Sequence, residues 1–324
     1  MKACIEQQGG TVVMDYGGNY QVNYTSYCAL PSEEQRNMFV AASAGVQYVV
    51  QCEPRLYLPH DAPITLRLQR DVAGERGDVR DLLCVRIGKD WEVGISCKHN
   101  HEAVKHSRLS SNINFGEKWL GHSCSADYFN EIRPVFNHLE ELRLRNCLWR
   151  DVPSVHDTIY RPVLDAFLRE MDRLNREFPE DVPPRLVQYL IGNQSFYKIV
   201  AHDSMESTSI QAFNLDRKLN SKAATKQPEI RVGHQKLPTR IDRMYLAPNR
   251  DTTAIINCDN GWSLSLRIHS ASGKVEPSLK FDIQLGAVPP SLEKETRSWH
   301  SYAMNLDIGR YISDTLLYVA EHGA

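Results

Sequence analysis

The sequence predicts an α/β fold: a mixed sheet flanked by helices, with a helical insertion and a β-rich C-terminal portion. Three observations predict it. Strand-like stretches at 64–70, 81–87 and 91–99 follow one long amphipathic helix. A block from about 125 to 191 has helical periodicity, and strand patterns return after residue 191. The chain thus divides into a core at 30–124, a helical region at 125–191 and a β-rich portion at 192–324 that can form one compact unit with the core.

Residues 1–31 are rich in Gly, Tyr and Asn, with short alternating stretches such as GTVVMDY. PSEEQRNMFVAASAGVQYVVQC, at 31–52, is the first strong helix signal. Ser32 is placed to act as N-cap, and Glu33 and Glu34 fall in the first turn, where the helix dipole favours anions. Apolar residues recur at helical spacing, and Pro54 lies just beyond the end. ITLRLQR alternates cleanly, DLLCVRI is almost wholly apolar, and WEVGISCKH follows after Gly88-Lys89-Asp90, a turn short enough to make the last two a hairpin. HEAVKHSRLSS, at 101–111, reads as a short, basic, helix-like segment.

ADYFNEIRPVFNHLEELRLRNCLW, DTIYRPVLDAFLREMDRLNREF and RLVQYLIG read as helices, with Pro134 and Pro162 marking kinks or starts. FYKIVAHD returns to strand, and the polar stretch DRKLNSKAATKQPE at 216–229 reads as an exposed loop or linker. TAIINCD, WSLSLRIHS and SLKFDIQLGAV are strands, and DTLLYVAEHG is a short C-terminal helix. There are no repeats.

Composition narrows the classes without choosing one. A chain of 324 residues can bury a substantial core. No window approaches eighteen continuous apolar residues, which argues against a transmembrane helix. The start, MKACIEQQGG, lacks the apolar core of a signal peptide, so a cytoplasmic location and no membrane partner are expected. The 8 cysteines are scattered with no CxxC pair, which argues against a zinc ribbon or a redox motif and for free thiols. A net charge of -2 gives no global sign of nucleic-acid binding, although a local basic cleft can exist on a neutral protein.

The hairpin at 81–98 carries the chemistry. With the turn near Lys89, antiparallel pairing sets Asp81 opposite the stretch Ser96 to Lys98. Ser96 and Lys98 share one face, and Cys97 points to the other. A carboxylate, a small polar group and an ammonium thus meet at one edge of a mostly buried sheet. Buried charges are paired or metal-bound, so Asp81 and Lys98 are either a structural ion pair or a catalytic pair. In the catalytic version, Asp81 holds a divalent cation through hard oxygens and Lys98 helps orient and activate the attacking water.

This arrangement resembles the PD-(D/E)XK nuclease core, an acid on one strand followed by acid-x-Lys on the next. Here the second element reads Ser96-Cys97-Lys98, with serine where the second carboxylate is expected. Glu92 lies on the same face, but four residues along a strand is roughly 13 Å, too far to share one metal with Asp81. Glu34 of the first helix and Glu102 after the hairpin are the candidate second acids. The backbone carbonyl of Cys97 and water complete the shell if neither serves.

Longer segments sharpen the match. GDVRDLLCVR, WEVGISCKHNHEAVKHSRLS, FGEKWLGHSCSADYFNEI, IGNQSFYKIV and LRIHSASGKVEPSLKFDIQL resemble the HaeIII-type family of type II restriction endonucleases, over roughly residues 30 to 290. The resemblance implies a Mg2+-dependent nuclease that cuts double-stranded DNA at a short specific site, with catalytic roles for Asp81 and Lys98. The family's best-known member targets GGCC. A palindromic target suits a homodimer, and a restriction enzyme implies a cognate DNA methyltransferase that protects the host. Two alternatives stand beside this: a DNA-binding protein on the same core that lacks catalysis, and a DNA-repair nuclease.

Further residues are candidates for DNA contact. Lys105 and Arg108, taken as one turn apart on the basic segment, suit a phosphate beside the metal site. Arg267, His269, Lys274 and Lys280, in and around the loop between two strands, are placed to enter a groove, where Arg or Lys can read guanine. Arg217, Lys218, Lys222 and Lys226 form a basic loop that either clamps the backbone or is a flexible linker. His99-Asn100-His101 spells the letters of an HNH nuclease, but that motif spreads its residues over a ββα unit. The five tryptophans are expected in the core or at an interface.

Overall fold

The structure is a computed structural model that describes residues 1–17, 19–57, 62–70, 78–100, 105–248 and 252–303; for Lys105 and His106 only the backbone is described. Helix α1 (Lys2–Gln7) leads into β1 (Val12–Asp15), then α2 (Tyr20–Cys28) and the long α3 (Ser32–Cys52). Strands β2 (Ile64–Leu68), β3 (Leu82–Arg86), β4 (Glu92–His99) and β5 (Lys105–Leu109) follow. Helices α4 (Ala126–Leu144), α5 (Arg161–Glu177) and α6 (Val182–Ile191) precede β6 (Phe196–His202) and β7 (Ser207–Phe213). Strands β8 (Ile241–Leu246), β9 (Thr253–Cys258), β10 (Ser263–His269), β11 (Leu279–Ala287) and β12 (Glu293–Ser298) complete the described strands.

The strands form two sheets. The first is seven-stranded, in the order β1-β2-β3-β4-β6-β7-β12, and the second is five-stranded, β5-β11-β10-β9-β8. The first is mixed: β1 runs parallel to β2 and β4 parallel to β6, and the other pairs are antiparallel. A parallel pair needs a crossover, and the one from β4 to β6 contains β5 and helices α4 to α6. This is a PD-(D/E)XK-like arrangement, with the expected helical insertion seated in the crossover.

One face of the first sheet is closed by α3, whose Val46, Val49 and Val50 cluster with Val93, Ile95, Tyr197, Ile199 and Ile210. The close approach demands Gly45, where an added Cβ would stand 2.7 Å from Ile199 Cγ2. On the other face, Phe196 and Phe213 join a larger core shared by α4, α5, α6 and the inner face of the second sheet. Helices α4 to α6 therefore lie between the two sheets.

The structure corrects several sequence expectations. Ser32 does not cap α3: Pro31 occupies the N-cap and Ser32 is already helical, so its hydroxyl has no cap to make. The segment HEAVKHSRLSS is not helical where described. Residues 105–109 form β5, paired antiparallel to β11, so Lys105 and Arg108 do not sit one helical turn apart. Ser107 and Leu109 are buried with Arg108 exposed between them, a period-two pattern that β11 stabilises over the weak local helix signal. The 216–229 loop is not a free linker. Asn220 donates from its side chain to the carbonyls of Cys52 and Ile230, at 2.9 and 2.8 Å, and Leu219 and Ala223 are buried. The expected C-terminal helix DTLLYVAEHG lies outside the described residues.

That loop is tied to α3 through Glu53, which is fully buried. Its Oε1 accepts from Tyr197 Oη at 2.7 Å and from the Asn220 N–H at 2.6 Å, and its buried Oε2 has no hydrogen-bond partner among the described residues. Burial pushes the Glu53 carboxyl up to about 7, against the opposing pull of the two donors. A carboxyl raised in the folded state binds more protons folded than unfolded, so its contribution is fully present below the ordinary carboxylate range and is lost as pH rises through about 7. Glu53→Gln is expected to remove that pH dependence, worth about 3 kcal/mol across the window, and to be the more stable form at pH 8. Urea midpoints at pH 4.5 to 8 check it, and an identical slope in both proteins would refute it.

Candidate active site

The hairpin register places the site. Leu82 pairs with Ile95, so Asp81 falls opposite Ser96 as the sequence predicts. Its N–H donates to the Ile95 carbonyl at 2.8 Å, and its own carbonyl accepts from the Gln69 N–H at 2.9 Å. Leu82 and Ile95 face α3, and the alternation turns Asp81 and Ser96 to the opposite face. There Asp81 Oδ2 accepts from the Cys97 N–H at 2.6 Å and from Ser96 Oγ at 3.2 Å, with Lys98 Nζ at 3.7 Å. Ser96 is buried, whereas the side chains of Asp81 and Lys98 remain 49% and 26% exposed, enough to meet a ligand from solvent.

A buried arginine braces this acid. Arg80 donates to Asp78 Oδ1 and Oδ2 at 2.7 and 2.8 Å and to Glu92 Oε1 at 2.6 Å. It crosses directly over Gly94, where a Cβ would stand 2.1 Å from Arg80 Cδ. Gln69 completes the brace, donating to Asp78 Oδ2 and to the Arg80 carbonyl. Against the cost of burial, these donors hold the Asp78 carboxyl below the usual carboxylate range. Glu92, dismissed as a metal ligand on distance, is engaged with Arg80 instead.

Other predicted ligands are not brought to Asp81. Glu34 sits in the first turn of α3, which packs on the face opposite Asp81, and Glu102 lies outside the described residues. The Cys97 carbonyl is better placed. N–H and C=O of one residue leave an extended strand on the same edge, and the Cys97 N–H already meets Asp81. Among the described residues no group of three or more His, Cys, Asp and Glu could hold a metal. One carboxylate and one carbonyl are a sparse but hard-oxygen donor set, which suits an ion that keeps several waters and takes further ligands from a phosphate.

Sequence reasoning missed two neighbours. Lys198 of β6 is the register partner of Ser96 and is buried, so a second lysine lies one strand from the acid. Its signal was a charge inside the apolar run FYKIVA. At the ends of β4 and β6, His99 Nε2 and Asn100 Nδ2 lie 2.8 and 2.9 Å from Asp203 Oδ2, and the Asp203 N–H donates to Asn100 Oδ1. His99 and Asn100 are thus spent on a strand-end clasp, and His101 lies outside the described residues.

Of the remaining candidates, Arg108, Arg267, His269 and Lys280 share the outer face of the second sheet. Its inner face buries Leu266, Ile268, Phe281, Ile283, Ser107 and Leu109. Outward, His269 pairs with Lys280 and Lys280 with Arg108 in one row, and Arg267 pairs with Asp282 in the next. Arg267 Nη2 donates to Asp282 Oδ2 at 2.6 Å, and Arg108 Nη1 to Ser278 Oγ at 3.2 Å. Lys274 is exposed on a loop anchored by its bridge to Leu148, and Lys105 pairs through its backbone with Ile283. In the basic loop Lys226 is paired with Glu229 at 3.2 Å, and its ammonium lies 4.6 Å from the Tyr57 ring centre.

The family described as HaeIII restriction endonuclease matches residues 3–289 of this chain. Among curated proteins, the type II restriction enzyme HaeIII of Haemophilus aegyptius is 38% identical over 288 residues, covering 89% of this chain and 90% of that one. No solved structure matches. The geometry of the brace predicts that Gly94→Ala, by driving a methyl into Arg80, costs about 1–3 kcal/mol of stability; a urea midpoint unchanged from the parent would show that the guanidinium moves aside freely.

Proposed function

The chain belongs to the HaeIII restriction endonuclease family and is a site-specific DNA endonuclease, and from that premise we propose that Asp81, Ser96, Cys97 and Lys98 form its cutting site, with Mg2+ as the cofactor. The observation that carries this is the convergence of the Cys97 N–H, the Ser96 hydroxyl and the Lys98 ammonium on one oxygen of a half-exposed acid. Asp81 and the Cys97 carbonyl are the residues that would hold the metal. When bound, Mg2+ offsets charge on the scissile phosphate and favours a hydroxide nucleophile. Ser96 and the Cys97 N–H keep the Asp81 carboxylate aimed. Lys98 donates to the attacking water or to a phosphoryl oxygen, and its positive charge favours the water's deprotonation. Water then bonds to phosphorus as one P–O ester bond breaks, leaving a phosphate and a hydroxyl at the nick.

Double-stranded DNA is the substrate. On this reading Arg267, His269, Lys280 and Arg108 meet it through the outer face of the second sheet, with Lys274 on the neighbouring loop and Lys105 on the edge strand β5. Two copies of the chain, one per strand, suit a palindromic site, and a methyltransferase paired with the enzyme would shield host DNA.

Purified protein incubated with unmethylated plasmid and Mg2+ is expected to give discrete fragments, GGCC being the first sequence to seek at their ends. Asp81→Ala and Lys98→Ala should each lower the cleavage rate by roughly 1,000-fold or more, and chelation of Mg2+ should abolish it. Binding without cutting would identify a DNA-binding protein on a nuclease core, the reading that serine at 96 favours. Random nicking would identify a repair-type nuclease.

A further inference from the structure

Asp282 is an acid within the basic part of the outer sheet face, where Glu276 also lies 3.9 Å from Arg108. It sits between Arg267, the exposed cation of this face, and His269, whose Nε2 is buried. Its Oδ2 accepts from Arg267 Nη2 at 2.6 Å, and its Oδ1 lies 3.5 Å from His269 Nε2. The His269 ring is fixed from its other side, where Nδ1–H donates to the Ser270 carbonyl at 2.6 Å. Exposure separates the partners: the Asp282 side chain is 18% exposed and that of Arg267 59%. The carboxylate is thus sunk beneath the guanidinium rather than presented to a ligand.

An anion on a DNA-facing surface opposes phosphate binding, so its physical use there must be orientation. A guanidinium has five N–H donors in a rigid fork, and the bond to Asp282 leaves the others for an acceptor pair. Guanine offers such a pair, O6 and N7, in the major groove. Holding the fork before DNA arrives lowers the ordering cost of binding the correct base. Resting on the reading that this sheet face meets DNA, we infer that Asp282 is a specificity-determining positioning residue, which fixes Arg267 to read a guanine and holds His269 beside it. Asp282 touches no reacting atom.

The test uses Asp282→Asn, which keeps size and removes charge, with Arg267→Ala and Lys280→Ala alongside. Two quantities are measured: kcat/KM on duplexes carrying the site mapped from plasmid ends against duplexes with one base pair replaced, and affinity for a random-sequence duplex over a salt series. Asp282→Asn is expected to lower discrimination at a single G·C position about 10-fold, and at the same time to raise random-duplex affinity a few-fold. A merely structural role would lower both and shift the melting temperature, which overturns the inference. Normal discrimination in Asp282→Asn while Arg267→Ala loses it also overturns the inference and leaves the sheet face as the DNA surface. Unchanged binding in Arg267→Ala and Lys280→Ala at every salt concentration overturns the surface and, with it, the role of Asp282.

Discussion

The bond from the Cys97 N–H to Asp81 Oδ2, at 2.6 Å, exists only in one register of the β3–β4 hairpin. A slip of one residue would turn Asp81 toward α3 and Leu82 toward the site, inverting every side chain of the pair. Three constraints prevent that slip. Gly88, with φ 81, sets the turn. Strand β2 pairs along the other edge of β3, and Arg80 locks the segment before Asp81 to Glu92 on the facing strand. The acid is half exposed, yet its position is set by buried structure on both sides of it.

The same strand carries that precision outward. Strand β4 pairs with β6, which puts Lys198 beside Ser96, and the chain then runs from Lys98 to the start of β5 within seven residues. Seven residues span at most about 24 Å. Asp81, Lys98 and the edge of the second sheet are therefore held within a short reach of each other, and α4 to α6 fill the space between the sheets. Displacement of the second sheet relative to the first would be opposed by this whole shared core, because packed interiors transmit strain rather than absorb it.

What the sequence made legible was local. The β3–β4 hairpin, α3 and the three crossover helices announce themselves through period, turn residues and prolines, and the hairpin alone was enough to set Asp81 opposite Ser96. The pairings that escaped are long-range or polar. Strand β5 meets β11 across some 170 residues, and its basic, short sequence favours neither state by itself. Strand β12, EKETRS, is a polar edge strand with no apolar alternation to betray it. The Arg80 brace and the Asp282–Arg267 pair depend on side-chain reach over a glycine and across a register, which spacing along one chain does not encode. Pro31 displaced Ser32 as the cap by a single residue, within the usual uncertainty of helix ends.

Serine at 96 then has a physical reading beyond the loss of a ligand. A carboxylate there would set a second negative charge against Asp81 at about the distance now spanned by a hydrogen bond, on a side chain that is almost fully buried. Such a pair needs a cation simply to be tolerated. Serine instead donates to the acid, so the hairpin is satisfied without metal, and Lys98 supplies the compensating charge. In the proposed mechanism the cost of that arrangement is a weaker protein share of the metal shell. Mg2+ keeps several waters and readily takes substrate phosphate oxygens as ligands. On the proposed reading, a site with one carboxylate would leave its remaining ligand positions to water and substrate oxygens, so the cutting centre would assemble only once DNA is bound.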